Sequence, residues 1–434
     1  MIASNIGKIF LEAYNEKYNT SFKAKEFFIK YFYEIFFNHN KYMMSAGNSP
    51  LENPKISWDK MRKGIEPYES VDKRNDRFIK TIEKIDLGSF DASVAIGYPS
   101  FDPNATTSGQ VTNLELHIKP DDVYLSWIGS GLGVGVQGGL SLFFYQKSIL
   151  LDIFEGWKIY RSFLNSSPSL RGNQINTWNG QWISHRYDIR NFNPDNPTSM
   201  FNPLEKMADG GLEIGTQSWT KVIIGIARNF PLDTLTSYVY SIGQTNTTIG
   251  FIPFNLSKIK RPYELYEKFF GTTSRDLSEN LFGTEIGFIK ACQMGSIGVN
   301  ALEPKGFKDC MQKGIMPKYN NDKQINYKTY QIWLLAMLNN EQLWEKAQII
   351  ATTLYNYTLS DKNAKKSKSQ DVSNLLQSTN KKQFIERLTE LIKSESDTNF
   401  LLEMGETIHK MPIDNIPYFL TLIRFHFAAI NKIS

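Results

Sequence analysis

Cysteine is nearly absent from this chain: Cys292 and Cys310 are the only two in 434 residues, and they do not form a Cys-x-x-Cys pair. That excludes a disulfide framework and a thiolate zinc knuckle, and it points to a reduced, cytoplasmic environment. Histidine is scarce too. His39, His117, His185, His409 and His426 form no cluster at metal-ligand spacing, so neither a metal nor another cofactor is expected. No Gly-Lys-Ser/Thr triplet occurs, which excludes a Walker loop, and no Gly-x-Ser-x-Gly elbow occurs. The N-terminus lacks a basic region followed by an apolar run, so no signal peptide is expected. The most apolar helical stretch, 140–164, is broken by Lys147, Asp152, Glu155, Lys158 and Arg161 and is expected to be an amphipathic core helix, not a membrane span.

Charge is nearly balanced, with 49 Lys and Arg against 44 Asp and Glu. A net +5 permits a nucleic-acid partner without requiring one. Apolar residues reach 41 % and aromatics 13 %, enough for substantial cores in two or three packed units. The periodicity predicts an α+β chain. Residues 1–90 read as mainly helical, with an aromatic-rich face at Phe27, Phe28, Phe32, Phe36 and Phe37 that suits core packing. Residues 91–303 read as a mixed α/β body, with strands expected at Leu114–Ile118, Val123–Ile128, Val222–Ile226 and Thr248–Phe254. A linker is expected over 304–326 and a C-terminal helical bundle over 327–434, interrupted by an exposed lysine-rich loop at 360–380.

Two segments carry recognisable chemistry. The first is Gly129-Ser-Gly-Leu-Gly-Val-Gly-Val-Gln-Gly-Gly139. Gly133, Gly135 and Gly138 satisfy G-x-G-x-x-G, but no acidic residue ends a second strand about 20 positions on, so a dinucleotide fold is rejected. In an extended chain Gly129, Gly131, Gly133 and Gly135 would share one bare face, suited to close packing inside the protein or to a nucleic-acid strand. The second segment, 171–186, is expected to be a polar loop. It gathers Asn173, Gln174, Asn176, Asn179 and Gln181 with Trp178, Trp182, Arg171 and Arg186. Amides can read base edges, tryptophan can stack on bases and arginine can hold phosphate; alternatively the amides satisfy local backbone groups. Gln244 and Asn246 repeat the amide theme. Lys258, Lys260 and Arg261, followed by Tyr263 and Tyr266, form a basic-aromatic patch.

Several strings together resemble the large subunit of type I CRISPR surveillance complexes (Cascade), in particular the Cst-type proteins of subtype I-B. They are Gly47-Asn-Ser-Pro-Leu-Glu-Asn-Pro54, Thr107-Ser-Gly-Gln-Val-Thr-Asn113, the glycine segment 129–139 and Phe154-Glu-Gly-Trp-Lys158. Residues 172–182 and 240–254, Ala291-Cys-Gln-Met-Gly-Ser-Ile-Gly298 and Leu422-Ile-Arg-Phe-His-Phe427 complete the set. The resemblance adds Gln110 and Asn113 to the residues expected at nucleic acid. It implies a non-catalytic subunit whose partners are a guide RNA, the target double-stranded DNA, other Cascade subunits and a separate helicase–nuclease. Its task would be to recognise the protospacer-adjacent motif, guide target-strand exchange and help recruit the nuclease. The chain departs from many such proteins in lacking paired Cys-x-x-Cys motifs, which removes the expectation of zinc. A stand-alone phage-defence nuclease and an assembly protein without nucleic acid are the rival readings.

Overall fold

Helix α1, Ile2–Tyr18, buries Ile6, Phe10, Leu11 and Tyr14 on one stripe and ends at Asn19, whose left-handed backbone (φ 50°) closes the last turn onto Asn15. Ala24–Phe27, Phe28–Tyr33 and Glu34–Phe36 run on as one helix, α2, widened to π geometry in its middle part. Its aromatic face is core, as expected: Phe32 stacks on Phe36 at 4.2 Å, and Phe36 meets Trp157 edge-on at 4.7 Å. A computed structural model describes residues 1–44, 51, 60–61, 63–88, 94–99, 111–114, 117–241, 247–272, 279–283, 286–318, 320–360, 364–393 and 399–433.

The chain divides into two compact units. Unit 1 comprises Met1–Pro231 with Leu235–Phe254, and unit 2 comprises Leu232–Thr234 with Asn255–Ser434. In unit 1, α3 (Val71–Asp86) begins at a Ser70 cap, and α4 (Pro120–Gly131) begins with proline in its first turn. Strands β1 (Val134–Val136) and β2 (Leu140–Phe144) pair antiparallel and lead into helix α5 (Lys147–Ser166). Helix α6 (Ile175–Arg186), the small hairpin β3 (Leu204–Lys206) and β4 (Leu212–Ile214), and helix α7 (Trp219–Asn229) follow. Strands β5 (Thr234–Ser241) and β6 (Thr247–Asn255) complete a four-stranded sheet of order β1-β2-β5-β6, in which β2 pairs antiparallel with β5.

Unit 2 is helical: α8 (Leu256–Phe270), α9 (Phe288–Gln293), α10 (Lys308–Gln312), α11 (Gln324–Leu338), α12 (Gln342–Leu359), α13 (Lys365–Leu376), α14 (Lys381–Lys393), α15 (Asn399–Lys410) and α16 (Ile416–Ile433). Helix α16 packs against α11 and α12. The α+β class and the C-terminal run of helices therefore match the sequence expectation. No helix among the described residues is long and apolar enough to cross a membrane.

Several local expectations are corrected. Val123–Ile128 and Val222–Ile226 are helical, not strands. Pro120 and the Asp122 carboxylate, which accepts from Lys119 N–H at 3.2 Å, start the first; Ser218, which accepts from Lys221 N–H, starts the second. Leu114, His117 and Ile118 form no strand. The 140–164 stretch is a strand followed by a helix, because five successive buried residues, Leu140–Phe144, pair along β2. The lysine-rich 360–380 region contains helix α13, which buries Val372, Leu375 and Leu376 beneath its exposed lysines. The polar 304–326 stretch is no free linker. Phe307 is buried against Trp333 at 5.2 Å, and the Cys310 carbonyl accepts from Arg424. The main division between compact units falls at Phe254/Asn255, with the short segment Leu232–Thr234 also belonging to unit 2.

Candidate nucleic-acid interface

The two segments singled out in sequence meet in unit 1. Residues 171–186 are not a loop: helix α6 begins at Ile175, and its Ile175, Trp178, Asn179, Gly180, Trp182 and Ile183 are buried. That helix lies directly on β1. A Cβ at Gly180 would stand 2.1 Å from the Gly135 carbonyl oxygen, and a Cβ at Gly135 would stand 2.8 Å from the Asn176 backbone. Only hydrogen at these α-carbons allows the approach. The Asn176 amide donates to the Gly133 carbonyl at 2.9 Å, and the Asn179 amide donates to the carbonyls of Gly131 (2.7 Å) and Gly133 (2.8 Å). The amides of one segment thus satisfy the backbone exposed by the glycines of the other.

The glycines do not form one extended face. Gly129 and Gly131 end helix α4, Gly133 lies before β1, and Gly135 is in the strand. Gly131 is enclosed by Phe32, Phe36 and Trp157. Trp178 and Asn179 are fully buried, and the Trp178 indole donates to the Gly156 carbonyl and stacks on Tyr160 at 4.8 Å. Neither residue presents a surface to a ligand. Gln181 is also committed internally: its amide nitrogen donates to the Gly215 carbonyl, and its oxygen accepts from Gln217.

The end arginines differ. Arg171 is exposed and 3.9 Å from Glu213. Arg186 lies over the Phe192 ring and pairs with Asp152 at 3.4 Å and Glu155 at 3.7 Å. Burial raises the Asp152 carboxyl above its ordinary range despite the Tyr187 hydroxyl that it accepts from at 2.8 Å.

A cleft of about 450 Å³ remains between the β1–β2 turn and the entry to α6. Its exposed lip is Gln137-Gly-Gly139, with Gly138 and Gly139 at φ 93° and 71°; its wall includes Asn173, Gln174, Asn176 and Thr177. The wall is held from behind. Tyr42 C=O accepts from Asn173 N–H at 2.6 Å, and Met43 C=O accepts from Ile175 N–H at 3.1 Å. Lys41, itself buried, donates to the carbonyls of Ser167 (2.8 Å), Pro168 (3.3 Å) and Leu170 (3.1 Å). Burial lowers its ammonium pKa to about 8. Gln174 accepts from Ile214 N–H, and Asn173 adopts a left-handed backbone at φ 50°. The lysine anchor and the exposed Gln137 were not singled out in sequence; the only signal was the adjoining Gly138-Gly139 turn.

The other expected contacts fall elsewhere. Asn113 is exposed, whereas Gln110, Gln244 and Asn246 lie outside the described residues. In unit 2, Lys258, Lys260 and Arg261 are at the surface of α8, but Tyr263 and Tyr266 are only 2 % and 1 % exposed. The basic-aromatic patch is therefore split: Tyr263 and Tyr266, three positions apart, share the buried face of the helix, while Arg261, two positions before Tyr263, points elsewhere. Among the described residues no three His, Cys, Asp or Glu side chains could hold a metal ion. Burial pushes the Cys292 thiol up to about 11, which leaves it unreactive at neutral pH. No protein-family model, curated protein or solved structure matches the chain.

Proposed function

We propose that this chain is the non-catalytic large subunit of a CRISPR RNA-guided DNA surveillance complex, contacting the protospacer-adjacent motif through the cleft between the Gln137–Gly139 turn and the entry to α6. The observation that supports this reading is that the glycine segment and the amide segment, two of the strings that carry the resemblance, form one structural element. Its open side offers the Gln137 carboxamide and the exposed Gly138–Gly139 backbone, groups that can pair with base edges. A short motif needs few such contacts when guide pairing carries most of the sequence information. The near-neutral net charge fits a subunit whose partners share the phosphate contacts.

Purification from the native host with sequencing of co-purified RNA tests the assembly. Uniform repeat–spacer RNAs with several backbone subunits are expected; a lone protein without RNA would overturn the reading and make metal-dependent DNA cleavage the next assay. Gln137→Ala tests the cleft, since Asn179 and Gln181 serve internal bonds. It should weaken target-duplex binding by the assembled complex about tenfold. Unchanged affinity and motif preference would remove the cleft from the interface.

A further inference from the structure

Unit 2 contains a second cleft, of about 640 Å³, walled by the first turns of α8, the turn around 294–300 and the C-terminal end of α11. Lys258 and Arg261 line it, and no carboxylate does. Glu264 and Glu341 between them pair with three cations: Lys260 at 3.6 Å, Arg261 at 3.8 Å from Glu264 and again at Glu341, and Lys268 at Glu341. Among the described residues Lys258 joins none of these pairs, so the lining keeps a surplus positive charge. The same lining supplies polarizable apolar surface from Met294 and Met337, and carboxamides from Asn300 and Asn339.

We propose that this cleft binds a nucleoside 5′-phosphate, either free or as the terminal residue of an oligonucleotide. Lys258 provides a point charge for the phosphate, and the Arg261 guanidinium, held at the lining by Glu264 and Glu341, adds a second cation beside it. The methionines offer a soft surface for the flat face of a base, and the two amides can meet its polar edges. The volume is in the range of small-ligand sites, about 300–1,000 Å³, and exceeds what a bare phosphate would fill. This assignment is independent of the glycine–amide cleft and of the assembly proposed above.

Titration calorimetry on the full chain with AMP, GMP, CMP and UMP, and with adenosine as the control lacking phosphate, tests it. At least one monophosphate should bind saturably and adenosine at least about tenfold more weakly. Lys258→Ala should weaken the monophosphate about tenfold, while Lys260→Ala, outside the lining, should leave it unchanged. A 5′-phosphorylated oligoribonucleotide binding more tightly than both AMP and its 5′-hydroxyl counterpart would identify a strand terminus as the source; otherwise the free nucleotide is the ligand. No saturable binding at about millimolar concentration, adenosine binding as tightly as AMP, or equal losses in the two lysine variants would overturn the proposal.

Discussion

The cleft of unit 1 is walled by amides and bare backbone, whereas the cleft of unit 2 is lined by two cations and by methionine. The first is a by-product of close packing: glycines let a helix approach a strand, and the same turn leaves peptide groups open at its rim. The second arises from charge placement, because the carboxylates near α8 serve Lys260, Arg261 and Lys268 and leave Lys258 outside their pairs. Hydrogen-bonding shape and charge are different means of selecting a ligand. Salt separates them: a phosphate-directed site weakens as ionic strength rises, while amide-directed selectivity changes little.

Both units also use buried or partly buried cations to hold helix ends. Arg161 donates to the carbonyls of Glu34, Ile35 and Asn38 at the end of α2, and Lys41 does the same beyond α5. In unit 2, fully buried Arg424 donates to the carbonyls of Leu376 and Ser378 at the end of α13 and to Cys310. Burial lowers its guanidinium pKa to about 10. These side chains supply donors to carbonyls left unpaired where helices stop.

The comparison can be broken most severely at Arg424. Arg424→Ala strands two buried carbonyls and the part-buried one of Cys310 and should cost unit 2 about 4 kcal/mol, measured as lost hydrogen-exchange protection over 365–433 with 120–186 little changed. Next in size is Gly180→Ala, which drives a methyl into the Gly135 carbonyl and should cost unit 1 about 2 kcal/mol in urea unfolding. Protection lost first in α6 and β1 is the expected pattern, and undiminished protection there would contradict the packing described.

Acid acts on both units. Burial lowers the pKa of His39 and of His426 to about 4, and the His426 ring sits edge-on to Trp344 at 4.6 Å. The unfolded rings take protons at about 6.5, so this stability is complete above that pH and declines as pH falls toward 4. His426→Phe should flatten the pH dependence of unit 2 in thermal melts between those values and leave that of unit 1 unchanged. The smallest stability effect is expected at exposed Gln137, where alanine should change stability by less than about 0.5 kcal/mol. A larger loss would mean that reduced DNA binding reports misfolding instead of recognition.

Long helices were legible because their apolar spacing repeats over several turns: the helical character read in 1–90 and 327–434 is met by α1 and α2 and by α11 to α16. Short apolar runs were not. Val123–Ile128 and Val222–Ile226 are rich in β-branched or aromatic residues, yet each is buried on most sides of a helix, so periodicity gave no means of telling the two forms apart. In the candidate interface the residue types were visible, but not which were available. Trp178, Asn179 and Asn173 stand within a few positions of one another, and only the turn of α6 decides that the first two face inward.

The amino-acid sequence alone determined the α+β class, the helical C-terminal region and the chemical character of the two segments at 129–139 and 171–186. These follow from composition and from patterns that repeat within one element. Tertiary structure alone decided that the two segments satisfy each other, that the aromatic half of the 258–266 patch is core, and that Arg424 is a buried helix-end donor. Each of these depends on which distant backbone carbonyl or ring comes within bonding distance, and local periodicity does not encode that.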